Sequence, residues 1–187
     1  MPSIPPDTAA LIAACRAGDR RAQEAFYRRH YPRLLPIVLR YIKGRDAAVD
    51  VLNRAMMRIF DSLPAYREED KLEAWTATIT RRTALNVIRD EGRAQRRFQP
   101  KEYDPPTSVA NAALDRLNAE DILKLLDALP DYLRLVFSLA VFDGLPHAEI
   151  AAELDITVVA SRWRLAKARE LLRDRYQSVH RINESLL

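Results

Sequence analysis

The sequence predicts an all-α protein made of two small helical bundles joined by a proline-containing linker. Three observations lead there. Only four glycines occur in 187 residues, while Ala, Leu, Arg and Glu, all good helix formers, dominate. Apolar residues recur at three- and four-residue spacing through most of the chain, the mark of helices with one buried stripe. The stretch from Phe98 to Ser108 carries Pro100, Pro105 and Pro106 and has no such stripe. These features divide the chain into residues 1–97, a linker at 98–113 and residues 114–187.

The elements follow in order. Leu11, Ile12 and Cys15 mark a first helix ending near Gly18. Asp19 suits an N-cap for the next, which carries Ala22, Phe26, Leu34, Leu35, Val38 and Ile42. Pro32 and Pro36 each remove a backbone donor and are expected to kink or interrupt it. A third helix begins near Asp46, itself suited to capping, shows Val49, Leu52, Met56, Ile59, Phe60 and Leu63, and stops at Pro64. The fourth starts near Asp70, shows Leu72, Trp75, Ile79, Ala84, Val87 and Ile88, and runs into basic residues up to Arg97.

Helical spacing resumes after the linker with Leu114, Leu117, Ile122, Leu125, Leu126 and Leu129. Pro130–Asp131 suits a new start, with Leu133, Val136, Phe137 and Ala140 facing inward. A short helix, His147 to Leu154, is separated by Asp155–Ile156–Thr157 from a longer one, Val158 to about Tyr176. That pair forms a helix-turn-helix pattern. Ile150, Ala151, Leu165, Ala168, Leu171 and Leu172 make its buried side, and Leu154 and Ile156 bracket the turn.

Composition excludes several functions. Lys plus Arg is 30 and Asp plus Glu is 26, a formal charge of +4. A single cysteine, Cys15, leaves no internal disulfide and no multi-thiolate metal site. His30, His147 and His180 are scattered, and His147 is expected to cap or pack at the start of its helix. No run approaches the roughly 18 apolar residues of a membrane span, and Met1 to Asp7 does not read as a signal peptide. A cytoplasmic protein is expected. The carboxylates Asp46 and Asp50 have no histidine, nucleophile or ligand cluster beside them, and no glycine loop could cradle phosphate. No enzyme, no cofactor and no metal site are expected.

The residues that carry chemistry are basic. The helix from Val158 offers Arg162, Arg164, Lys167, Arg169 and Arg173 on one side. Such a helix can enter a major groove, arginine reading guanine edges while its neighbours hold phosphates; the bland reading is a solvated face. The fourth helix carries Arg81, Arg82, Arg89, Arg93, Arg96 and Arg97, with Trp75, Thr76, Thr78 and Thr80 upstream and Tyr66–Arg67 in the preceding loop. Aromatics beside arginine suit single-stranded DNA, in which bases stack on rings; equally, Trp75 at helical spacing suits a core. The helix from Asp46 to Met57 joins Asp46 and Asp50 to the apolar Val51 and Met57, a surface fit to dock a partner.

In this order the two halves resemble a bacterial RNA polymerase sigma factor of the extracytoplasmic-function group. The resemblance rests first on Ala47 to Phe60, Leu63 to Tyr66 and Trp75 to Arg89, including Ile79, Arg81, Ala84 and Leu85. It rests next on Leu129–Pro130, Arg134, Val136–Phe137, Gly144, His147, Glu149–Ile150–Ala151, Leu154, Ile156, Ser161, Leu165 and Ala168–Arg169. It implies a specificity subunit that docks core polymerase through Asp46, Asp50, Val51, Asn53, Arg54 and Met57. It further implies that Tyr66, Arg67, Trp75, Thr78, Arg81, Arg82, Asn86 and Arg89 take the melted minus-ten strand. Thr157, Val158, Ala160, Ser161, Arg162, Trp163, Arg164 and Lys167 would read the minus-thirty-five duplex of promoter DNA.

An anti-sigma or accessory protein is the other partner the resemblance admits. The alternative function is a sigma-like DNA-binding transcriptional regulator that has lost polymerase docking, a reading motivated by Val49 and Arg54. Asn53 and Arg54 stand where the family usually has Gln–Glu, Val49 where an acid is common, Arg82 where asparagine is usual and Asp155 where glycine is common. Asp155 is tolerable there because aspartate can take a left-handed conformation. Val158, Val159 and Trp163 are apolar where polar base contacts are usual; they either meet thymine methyls or pack on a partner.

Overall fold

A computed structural model describes residues 6–67, 71–92 and 119–184 of the chain. They are predominantly helical, with no strand among them. The chain divides into two compact units, Met1–Ala94 and Gln95–Leu187. The expected linker 98–113, with Arg93, Arg96, Arg97, Leu114 and Leu117, lies outside the described residues.

The first unit has α1 (Pro6–Arg16), α2 (Arg20–Leu39), α3 (Arg45–Ser62), a 3-10 turn at Leu63–Ala65, and α4 (Leu72–Gly92). Gly18, at φ +80°, turns the chain between α1 and α2. Asp19 then caps α2 as expected, its carboxylate accepting from the Arg21 and Ala22 amides at 2.8 and 3.3 Å. The interruption expected at Pro32 and Pro36 does not occur, and α2 runs on through both. Each proline forfeits a helical hydrogen bond, but Pro32 is exposed and Pro36 half-buried. The stripe Ala22, Phe26, His30, Leu34, Leu35 and Val38 stays buried on the other side and keeps the helix continuous.

Gly44, at φ +80°, takes the N-cap position of α3. Asp46 therefore sits in the first turn, where its charge faces the positive helix end, and is not the cap. The inner face of α3 is Ala48, Val51, Leu52, Ala55, Met56 and Ile59. Helices α2, α3 and α4 pack on one another around Phe26, Leu34, Val38, Leu52, Ile59 and Ala84, all at 0% exposure. The core of α4 is more polar than its apolar stripe predicts: Thr76, Thr80 and Thr83 are buried, while Ile79, Val87 and Ile88 are half-buried. The three hydroxyls donate back to the carbonyls of Glu73, Thr76 and Ile79 at 2.8–3.0 Å, so burial leaves none unsatisfied.

The second unit has α5 (Ala119–Asp127), α6 (Asp131–Phe137), a π-helical turn at Ser138–Phe142, α7 (His147–Leu154) and α8 (Val158–Glu184). Residues Leu133 through Leu139 are buried without a break, making α6 the centre of this unit. Arg134 is among them at 1% exposure, its guanidinium donating to Asp127 at 2.7 Å. Asp155 ends α7 with φ 54° and ψ 50°, the left-handed conformation expected of it, and the Ile156 amide donates back to the Ala151 carbonyl at 3.0 Å. Helix α8 extends beyond the expected Tyr176 to Glu184; residues 177–184 hold no proline or glycine to stop it. Its buried stripe is Ser161, Leu165, Ala168 and Leu172, with Leu171 half-buried.

Candidate nucleic-acid interface

The two units present three surfaces that carry the exposed charged and aromatic residues. On α3, Asp46, Asp50, Asn53, Arg54 and Met57 are exposed and follow one another at three- and four-residue steps, so they form one stripe. Met57 is 62% exposed, an outlying apolar side chain among charges. The Tyr27 hydroxyl of α2 donates to Asn53 Oδ1 at 2.9 Å and fixes the middle of the stripe. Val51 does not belong to it. At 4% exposure it turns into the core, three residues after Ala48 on the same inner face.

The second surface begins at the turn after α3. Arg16, at the end of α1, donates from Nε to the Leu63 carbonyl at 3.0 Å and from its terminal nitrogen to the Tyr66 carbonyl at 2.6 Å. The expected stacking residue Tyr66 is corrected to a buried support: it is 5% exposed, its ring 4.7 Å from that of Trp75 and tilted by 40°. Trp75 is half-buried, so one side of the indole meets the core and the remainder reaches the surface. Arg67 is exposed, and its guanidinium donates to the carbonyls of Pro64 and Tyr66. Along α4, Trp75, Thr78, Arg82, Asn86 and Arg89 recur at helical spacing, with Arg81 beside them. Arg82 and Arg89 are exposed, and Thr78, Arg81 and Asn86 half-buried. The Thr78 hydroxyl donates to the Ala74 carbonyl at 2.8 Å.

The third surface is the first two turns of α8. The Thr157 hydroxyl accepts from the Ala160 amide at 3.0 Å and caps the helix. Ser161, expected to face DNA, is instead 0% exposed, its hydroxyl 2.9 Å from His147 Nδ1. That contact joins α7 to α8 and agrees with the packing role expected of His147. Burial, then the nearby Arg162 and Arg169, push the His147 pKa below 6.5. Val158, Val159 and Arg162 are exposed; Ala160, Trp163, Arg164 and Lys167 are half-buried. The Arg164 guanidinium lies 5.5 Å above the Tyr132 ring, and burial lowers its pKa while Tyr132 opposes the shift. Lys167 pairs with Glu170 at 2.9 Å.

Arg16 is the residue that sequence reasoning missed. Its partners lie 47 and 50 residues away, and no local pattern announces such a contact. Among the described residues no three His, Cys, Asp or Glu side chains could together hold a metal, and no helix is long and apolar enough to cross a membrane.

Residues 26–94 match the family model for Sigma-70 region 2, and residues 119–172 match that for Sigma-70 region 4. The chain is 25% identical over 182 residues to the ECF RNA polymerase sigma-E factor of Escherichia coli (strain K12), covering 91% of this chain and 95% of that one. It is 29% identical over 181 residues to the ECF RNA polymerase sigma factor SigE of Mycolicibacterium smegmatis, covering 92% of this chain and 69% of that one. Among solved structures it is similar to CnrH, determined in complex with the cytosolic domain of CnrY, with 20% identity, a TM-score of 0.45, and coverage of 90% and 96%. One Sigma-70 region falls in each unit, in family order. The chain belongs to the sigma-70 family, as an ECF sigma factor that brings core RNA polymerase to promoter DNA to initiate transcription.

Proposed function

We propose that the three surfaces divide the work of initiation. The α3 stripe of Asp46, Asp50, Asn53, Arg54 and Met57 docks on core polymerase, with Met57 as its apolar anchor. Arg67, the outer side of Trp75, Thr78, Arg81, Arg82, Asn86 and Arg89 take the melted minus-ten strand, stacking bases and neutralising phosphates. The first turns of α8, with Thr157, Val158, Ala160, Arg162, Trp163, Arg164 and Lys167, enter the minus-thirty-five duplex. Val51, Tyr66 and Ser161 support these surfaces from within. Residues 98–113 tether the two DNA-binding ends. The protein acts in the cytoplasm beside polymerase and catalyses no reaction of its own.

The observation that carries this reading is the presence of exposed arginines on both units: Arg82 and Arg89 on α4, and Arg162 on α8. Melted bases need a stacking platform, whereas duplex edges need a helix, and each unit supplies one of the two. Holoenzyme carrying Arg82→Glu and Arg89→Glu is expected to protect the upstream duplex yet fail to open it. Holoenzyme carrying Arg162→Glu is expected to lose upstream protection while still transcribing a pre-melted template. Met57→Glu is expected to release the protein from core polymerase of its own organism. Identical behaviour of the two DNA variants, or full retention of core by Met57→Glu, would overturn the division.

A further inference from the structure

At the start of α8 the Ser161 side chain turns inward, the exposed Thr157 hydroxyl caps the helix, and two hydrocarbon side chains face outward. The Thr157 hydroxyl is occupied by the Ala160 amide, and the Ser161 hydroxyl is buried against His147. Beyond the capping Thr157, the exposed residues of these turns are Val158 at 37% exposure, Val159 at 58%, and Arg162, which is four residues from one valine and three from the other. On a helix those spacings put both valines beside the arginine. A valine can neither donate nor accept a hydrogen bond. In a major groove the one edge feature it complements is the C5-methyl group of thymine, since guanine, cytosine and adenine present donors or acceptors that a hydrocarbon would leave unpaired. Arg162 supplies the positive charge that seats this apolar tip against the phosphates.

We propose that Val158 and Val159 read thymine through its methyl group, so that the upstream element of this sigma factor carries a T·A pair beneath them. The proposal rests on the reading that α8 enters the upstream duplex, and deepens it by naming the base. Ser161 acts as an internal fastener, and the Thr157 oxygen is engaged in capping the helix.

The test uses full-length protein with core polymerase and an upstream element selected from a randomised duplex pool. Each thymine of that element is replaced in turn by deoxyuridine, which removes only the methyl group. The expected result is a loss of about fourfold in holoenzyme binding at one or two positions, the effect of one methyl leaving an apolar contact. Val159→Ala keeps the helix and sits on the surface, so the fold survives it. The variant is expected to bind the thymine duplex about fourfold more weakly and to be indifferent to deoxyuridine at one of those positions. Equal sensitivity of the two proteins to deoxyuridine, or insensitivity of both while the upstream duplex stays protected, would overturn the thymine assignment. The second result, joined to promoter loss in Val159→Ala only when cell extract is present, would move the valines to an accessory protein. Absence of upstream protection by the unaltered holoenzyme would overturn the groove reading itself, and the thymine assignment with it.

Discussion

Replacing Arg16 by alanine withdraws both donors from the turn that delivers Arg67: Nε from the Leu63 carbonyl at 3.0 Å and the terminal nitrogen from the Tyr66 carbonyl at 2.6 Å. Hydrogen bonds from a charged donor contribute about 1.5–3 kcal/mol each when buried. These two are only partly buried, and water can reach the freed carbonyls, so about 1 kcal/mol each is the better figure. The turn then loses about 2 kcal/mol of positional constraint, about a 30-fold change in its population at roughly 1.4 kcal/mol per decade. The core around Leu52 and Ile59 is untouched, and so is the α3 stripe. Holoenzyme with Arg16→Ala should therefore assemble normally, yet open a duplex promoter about 10- to 30-fold less well, as followed by permanganate reactivity of unpaired thymines. On a template already melted across the minus-ten region the deficit should shrink. Arg16→Lys, whose ammonium cannot span both carbonyls with the same fork, should fall between. Unaltered opening by Arg16→Ala would refute the argument that the clamp positions the turn.

Two further outcomes concern stability. His30 is pushed below its ordinary pKa of 6.5 chiefly by burial, then by Arg29 and Arg33, with Glu73 opposing; His147 is pushed below 6.5 by burial, then by Arg162 and Arg169. The unfolded chain takes up these protons near pH 6.5 while the folded chain resists, so both contributions are complete above 6.5 and are lost as pH falls below it. The slope is at most about 1.4 kcal/mol per pH unit for each histidine; thermal melts at pH 7.5 and 5.5 should show it, and a flat profile that His147→Gln leaves unchanged would contradict it. Asp127→Asn weakens the partner of a guanidinium that is 1% exposed and is expected to cost about 1–2 kcal/mol, because Asp127 itself is 55% exposed on its side chain and part of the charge was already screened. A melting temperature for the second unit within a degree of the unsubstituted protein would mean that the pair contributes nothing.

Periodicity made the fold readable, and its failures have local causes. The spacing that buries Leu52 and Ile59 also exposes Met57, and Asp19 and Asp155 act through their own backbone neighbours, which a sequence displays directly. Val51 falls at the edge of its stripe, where a rotation of a few tens of degrees decides between core and solvent. Tyr66 lies in the turn after α3 and Ser161 within the buried stripe of α8, where tertiary packing and not residue type sets their burial. The prolines of α2 were misleading because a local penalty was outweighed by a buried stripe on the opposite side. Thr76, Thr80 and Thr83 look like surface residues until their hydroxyls are seen to bond within the helix. Arg16 was invisible for the converse reason, since its partners are brought near only by the finished bundle.

The engagement of Thr157 in the helix cap and of Ser161 in the core also limits vocabulary. On the proposed duplex reading, a recognition helix reaches base edges with about three or four side chains, and α8 engages its first hydroxyls in its own cap and core. The letters it can still spell are few and mostly hydrocarbon, so one end of the molecule alone matches many stretches of a genome by chance. On that reading, discrimination rests on the conjunction of two DNA contacts, one from each unit, and not on either word alone.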